Sequence, residues 1–267
     1  MTDAALAVLE PPRKSLGQTA PDYVVWGGVV LLLLISFKPV EMQNAVKLFT
    51  NSENMRAFGA DLLKPDFTEW KLYVGKMWLT MQIALWGTAI ATAIAIPFGL
   101  ACSRNVAPFW LQQPMRLTMN LLRSIPDLVV GTIFLVAVGL GPFAGVMAIA
   151  VNTSAVLAKL FSEAVEATDK GPVEGVRSTG ANRLQEIRWG IIPQVAPLWT
   201  SYALYRFESS ARSATVLGLI GAGGIGQLLF DSLNAFAYHQ LSAIIVVIIG
   251  AVSLIDLLSQ AMRSRLL

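Results

Sequence analysis

The chain has 267 residues, of which 55% are hydrophobic and only 14% are Asp, Glu, Lys or Arg. A soluble domain carries about 25% charged residues, so this composition suits a chain whose solvent is largely hydrocarbon. The net charge of +3 does not point to a nucleic-acid surface, and the single cysteine, Cys102, excludes an intrachain disulfide and a cysteine-rich metal site.

Residues 1–20 carry Asp3 and Glu10 in a weak apolar stretch and read as a short cytoplasmic tail rather than a cleavable leader. A spanning helix needs about 20 mostly apolar residues, and lipid favours helices because they satisfy their own backbone hydrogen bonds. About six stretches fit. The first, Tyr23 to Phe37, has a short uncharged core, and Lys38 can snorkel from its end. With the polar segment after it, it makes up residues 21–71. There Met42 to Phe49 and Met55 to Leu63 read as short amphipathic helices on the membrane surface. The second span runs from about Leu72 to Cys102, with Pro97 kinking its end and Cys102 as inert packing. The third starts near Leu117 and stops at the Gly139–Pro142 break. The fourth runs from Pro142 to Phe161, the fifth from near Trp189 to Tyr205, and the sixth from Tyr238 to Leu258. Residues 72–262 thus form the core, and 263–267 a cytoplasmic end. The predicted fold is an all-α polytopic membrane helix bundle.

Six crossings put both termini on one side. The positive-inside rule makes that side cytoplasmic, because basic residues collect there. They are Arg13 and Lys14, then Arg104, Arg116 and Arg123, then Lys159, Lys170, Arg177, Arg183 and Arg188, and lastly Arg263 and Arg265. The loop from Lys38 to Lys76 mixes basic and acidic residues and faces outward.

Residues 159–190 are polar and lie on the inner side. Glu166 and Lys170 stand four apart, in the favourable order for a helical ion pair. Gly171 and Pro172 break that helix, and Pro172 fits the first turn of the next. Glu174 follows near the positive helix end, Gly180 ends the helix, and Asn182 with Gln185 resembles a capping box. From the residues alone this is either a solvated loop or an elbow whose Gly175 and Gly180 let another protein's groove close on it.

Three further features carry chemistry. Glu208 and Arg212 share a helical face beside Arg206, as a salt bridge ending the fifth helix at the outer interface or as a polar patch in a translocation path. Arg123 and Asp127 are four apart around Pro126 and read as a paired anchor. The GLIGAGGIG run contains Gly221, Gly223, Gly224 and Gly226, which are not a dinucleotide fingerprint and read as close helix packing through small residues. His239, the sole histidine, reads as an outer-interface residue, and Asn152-Thr153-Ser154 matches a glycosylation pattern inside an apolar span. Nothing in the spacing links His239 with Ser154 as an intramembrane enzyme would require. A membrane scaffold would have no use for the ordered elbow.

The stretch EGVRSTG, followed ten residues later by IIP, resembles the cytoplasmic coupling motif of ATP-binding-cassette (ABC) importer permeases. Glu174, Gly180 and Pro193 match its Glu, Gly and Pro, while Gly175, Val176, Gly190 and Ile192 depart from it. Together with RSIPDLVVG and SSARSATVLGLIGAGGIG, residues 72–262 resemble the phosphonate-importer permeases. Methionine-importer permeases share the glycine segment. The resemblance implies a type I importer permease, an ABC ATPase subunit dimer, a periplasmic binding protein and a second permease copy, as a homodimer. It implies phosphonate or a related phosphorus oxyanion as cargo, with methionine the alternative. Glu163, Glu166, Lys170, Glu174, Gly175, Arg177, Gly180 and Pro193 would form the ATPase-coupling surface. Arg123, Asp127, Arg206, Glu208, Arg212, Gly221, Gly223 and Gly224 would line the path or its gate, the last three in a re-entrant outer loop. No catalytic, metal or cofactor residue is expected. The chain lacks a GxxxxGK[ST] loop, so ATP and Mg2+ belong to the partner ATPase.

Overall fold

A computed structural model describes residues 16–47 and 52–264. The first 15 residues of the predicted tail, residues 48–49 of the first surface helix, and Arg265 lie outside the described residues. The chain divides into two compact units, 1–60 and 61–267. The first contains α1 (Leu16–Ser36), a single 3-10 turn at Met42–Val46, and most of α2 (Ser52–Leu62). The apolar part of α1, Asp22–Ser36, is exposed along its length and falls short of a full span. A helix that is apolar all round needs lipid or another helix as its surroundings.

The second unit holds α3 (Trp70–Cys102), α4 (Phe109–Ser124), α5 (Asp127–Val138), α6 (Pro142–Glu166), α7 (Lys170–Ser178), α8 (Ile192–Leu217), α9 (Gly224–Asn234) and α10 (Tyr238–Arg263). No strand occurs among the described residues, and the fold is all-α as the sequence predicts. Helices α3, α6 and α10 are each long and apolar enough to cross a membrane. Two bent pairs, α4 with α5 and α8 with α9, bring the number of crossings to as many as five.

Helices α3 and α6 form the central pair. Gly87 and Gly99 let their backbones approach: a Cβ at either would come within 2.7 Å of Ile149 or Phe161. In lipid, where apolar burial gives little drive for association, such small-residue contacts supply the packing. Ala91, Ala95, Ala155 and Ala158 are fully buried in the same seam. Helix α8 adds Trp199, which stacks on Phe161 with centroids 4.7 Å apart and donates to its carbonyl at 3.3 Å. On the far side of α3, Met77, Ile225, Ala243 and Ile244 join α3, α9 and α10.

His239 has a structural place at the start of α10. Its Nδ1 lies 3.0 Å from Lys64 O and 3.1 Å from Asp61 O, so a proton on Nδ1 serves both carbonyls. Nearby, Thr68 donates to Asp66 from its hydroxyl and then its backbone N–H, which holds the Asp66 carboxyl below its ordinary range.

Besides the first, two further predicted spans differ. The third is not one helix. It breaks at Ile125 and Pro126, and α4 and α5 meet at 89°. Proline disfavours a helical residue before it; Ile125 accordingly has ψ 124° and Pro126 ψ 144°. The 12 residues of α5 rise about 18 Å, well short of the roughly 30 Å hydrocarbon core. The fifth span does not end near its charges: α8 runs on to Leu217, carrying Arg206, Glu208 and Arg212 within it.

Candidate functional site

The elbow is built by local capping. Asp169, which the sequence reading passed over, caps α7 by accepting from Gly171 N–H at 3.1 Å. Gly180 ends the helix with a φ of +83°, the left-handed conformation that glycine adopts without strain. The predicted capping box forms in both directions, Asn182 N–H to Gln185 Oε1 at 2.8 Å and Gln185 N–H to Asn182 Oδ1 at 3.0 Å. The chain then winds through wider π-type turns, Glu186–Ile191, into α8, whose first turn holds Pro193.

The elbow is tied to itself and to α8. Arg177 grips Glu186 with two bonds of 2.8 and 3.0 Å. Gln194 accepts from Asp169 N–H at 3.0 Å and donates to Gly190 O at 2.6 Å. Gly190 departs from the motif because α7 lies on it: a Cβ there would stand 3.1 Å from Val173 Cα.

Gly175 differs. It is exposed, and a Cβ would meet nothing within 4 Å. Glycine inside a helix costs about 1 kcal/mol against alanine, and no contact within the chain requires it. It borders an open groove of about 630 Å³ with Pro172, Val176, Gly180, Gln185 and the exposed Trp189. Glu174 is also exposed. Glu163 pairs with Lys159 at 3.8 Å, on a largely solvated face.

Glu166 overturns its prediction. Helix α6 ends there, so Lys170, the first residue of α7, does not continue the helix to meet it. Glu166 instead pairs with Arg116 of α4 and accepts from Arg104 N–H at 2.7 Å.

A second group of charges lies within α8. Glu208 is 7% exposed and accepts from Arg212 at 2.9 Å, with Arg263 of α10 at 3.6 Å. Arg263 brings the end of α10 to this cluster. Helix α8 runs on past these charges to Leu217, so the ion pair does not close it. Arg206 donates to Thr153 Oγ1 at 3.3 Å. Its Nε and, one turn on, Ser210 Oγ are buried without a protein partner. Asp127 lies near enough to attract Arg206, and it accepts from Ser213 Oγ at 2.7 Å. Asp127, Ser209, Arg212 and Ser213 line a cavity of about 220 Å³. Arg123 is exposed on α4, across the Pro126 break, so the four-residue spacing to Asp127 does not make one helical face. Asn152 donates to Ile125 O at 3.1 Å, which gives it an internal role at that break.

The glycine run makes the break between α8 and α9, which meet at 58°. Gly221, Gly223 and Gly224 have φ of +105°, +78° and +75°. Gly141 N–H donates to Gly221 O at 3.1 Å, and Ile225 N–H donates to Thr80 Oγ1 at 2.8 Å. Helix α9, with 11 residues, rises about 16 Å and cannot cross a bilayer. Sequence reading missed Thr80, Ser213, Arg116 and Arg263 as site residues. Arg116 and Arg263 entered only as votes on orientation, and Thr80 lies in an unbroken apolar run that carries no signal. Among the described residues no group of three His, Cys, Asp or Glu is placed to hold a metal.

An apolar bundle with broken spans, buried charge and a capped elbow is the architecture of a membrane transport subunit. The chain belongs to the family of binding-protein-dependent transport system inner membrane components, whose model matches residues 95–266. It is 34% identical over 253 residues to the phosphite transport system permease protein PtxC of Stutzerimonas stutzeri, covering 94% of this chain and 90% of that one. It is 56% identical over 119 residues to the putative cryptic phosphonate transport system permease protein PhnE2 of Escherichia coli K12, covering 45% of this chain and 98% of that one. An inward-facing structure of the MetNI methionine ABC transporter shares the fold, with a TM-score of 0.66, 19% identity, and coverage of 76% and 99%. The chain is accordingly the permease subunit of an ABC importer in the inner membrane, a transport component and not an enzyme.

Proposed function

We propose that this permease imports a phosphorus oxyanion, phosphonate, phosphite or phosphate, and that an ATPase dimer docks on the elbow to drive it. The observation that carries the cargo reading is the buried polar seam of α8, where Arg206 keeps an unpartnered Nε and Arg212 borders a cavity. A guanidinium presents a fixed fork of donors that matches tetrahedral oxyanions. The names of the relatives, phosphite and phosphonate permeases, point the same way. The docking reading rests on Gly175 and the groove beside it, which the chain's own packing leaves open. In this arrangement α1 supplies a sixth crossing, and the elbow and both termini face the cytoplasm. A periplasmic binding protein delivers cargo at the glycine-break end, where Gly221, Gly223 and Gly224 form the outer gate. A second copy of the chain completes the pore as a homodimer. ATP and Mg2+ act in the partner.

ATP-driven uptake in vesicles holding the complete complex tests the cargo. Labelled methylphosphonate is expected to enter, with phosphite or phosphate competing and methionine without effect. Methionine uptake that the oxyanions do not touch would refute the reading.

A further inference from the structure

The elbow meets the rest of the chain at a second place besides α8. The link between α3 and α4 is held from three directions. Asn105 Nδ2 donates to Val165 O at 2.7 Å, beside the end of α6. Arg183, just beyond α7, donates to Val106 O at 2.8 Å and to Asn105 O at 3.3 Å. Arg104 N–H donates to Glu166. Arg116 closes the junction. Its Nε donates to Cys102 O, at the end of α3, at 2.7 Å, and its other arm pairs with Glu166. Both side chains of the pair are only 26% exposed. One arginine of α4 thereby joins the ends of α3 and α6 beside the elbow.

From here a rigid route leads to the polar seam. Helix α4 runs to the right-angled corner at Ile125 and Pro126. Asn152 of α6 pins that corner through Ile125 O. Asp127, the first residue of α5, lies just past the corner and holds Ser213 of α8 beside the cavity. Glu166 and Asn152 both belong to α6, so α4 is tied to that helix at both ends, from the elbow side to the Asp127 corner.

We propose that Arg116 is a positioning residue that makes α4 follow the elbow, with Glu166 as its partner, and that α4 acts as a lever carrying ATPase-driven movement to Asp127. This rests on the docking reading above. A guanidinium is suited to the post because its fork binds a carbonyl and a carboxylate at once, which a lysine ammonium cannot do in the same geometry. The clasp also gives Glu166 an internal task in place of an ATPase contact.

The test uses the complete complex in vesicles, with hydrolysis and uptake measured together and scored against wild type, whose own ATP-driven uptake tests the docking reading separately. Arg116→Ala is expected to keep hydrolysing ATP while uptake per ATP falls about tenfold, the scale of a lost intersite coupling. Hydrolysis and uptake falling in parallel would reduce Arg116 to a folding role and overturn the lever. A second variant removes that ambiguity. Arg116→Cys with Glu166→Cys, in a Cys102→Ala background that leaves only the introduced thiol pair, loses the ion pair but can be bridged by a short bis-methanethiosulfonate reagent. Bridging is expected to restore uptake per ATP, since the two sites move as one body. Uptake that stays low after bridging would contradict the proposal.

Discussion

Gly226→Ala is expected to abolish uptake and to lower thermal stability severely. A Cβ at Gly226 would stand 1.8 Å from Thr215 O and 3.0 Å from Gly218 Cα. Both neighbours are backbone, so neither can rotate away. Overpacking that side chains can absorb costs about 1–3 kcal/mol. Here α9 itself must leave α8, and the cost should reach or exceed the top of that range. The departure also pulls Ile225 N–H from Thr80, the bond that seats the break on α3. Gly250→Ala is the matched control: it lies within α10 with nothing within 4 Å of a Cβ. It should keep uptake and gain up to about 1 kcal/mol of helix propensity. Thermal unfolding of the detergent-purified variants separates the two, and equal melting points would refute this packing.

Glu208→Leu is expected to destabilise the protein by about 1–3 kcal/mol, less than the cost of stranding a fully buried charge, because the Arg212 side chain left behind is half exposed. The change leaves Arg212 and Arg263 facing each other without their shared acceptor. Removing all three charges, as Glu208→Leu with Arg212→Leu and Arg263→Leu, should recover most of the loss, because a hydrophobic replacement of a whole buried ion cluster is often neutral. Denaturant unfolding in micelles measures both. A single variant as stable as the parent would mean that the cluster is solvated and not part of the packed bundle.

The bundle was legible because its signals are local and strong. Uncharged runs gave α3, α6 and α10, and the Gly139–Pro142 break placed the start of α6 correctly. The elbow was equally readable, since Gly180, Asn182 and Gln185 act within a few residues of one another. What the sequence hid depends on long-range contacts. Glu166 looked like half of a pair with Lys170, yet Asp169 takes over as a cap and frees Glu166 for Arg116, 50 residues earlier in the chain. The corner at Pro126 was written in the sequence, but the spacing of Arg123 and Asp127 was read as helical across it. The charges of α8 read either as a helix-end salt bridge or as a polar patch, because no neighbour in the sequence decides between them. The partner that draws them into the bundle, Arg263, comes from the far end of α10. Gly190 departs from the motif for a reason outside it: Val173 of α7 rests on that position.

The central claim is that the elbow faces the compartment where ATP is hydrolysed. A cysteine at Gly175 reports on it directly, because that position is exposed and open while the native Cys102 is buried. Gly175→Cys should react with a membrane-impermeant maleimide in inside-out vesicles, remain unlabelled in right-side-out vesicles, and become protected when the ATPase subunits are added. Labelling from the outer face alone would contradict the account.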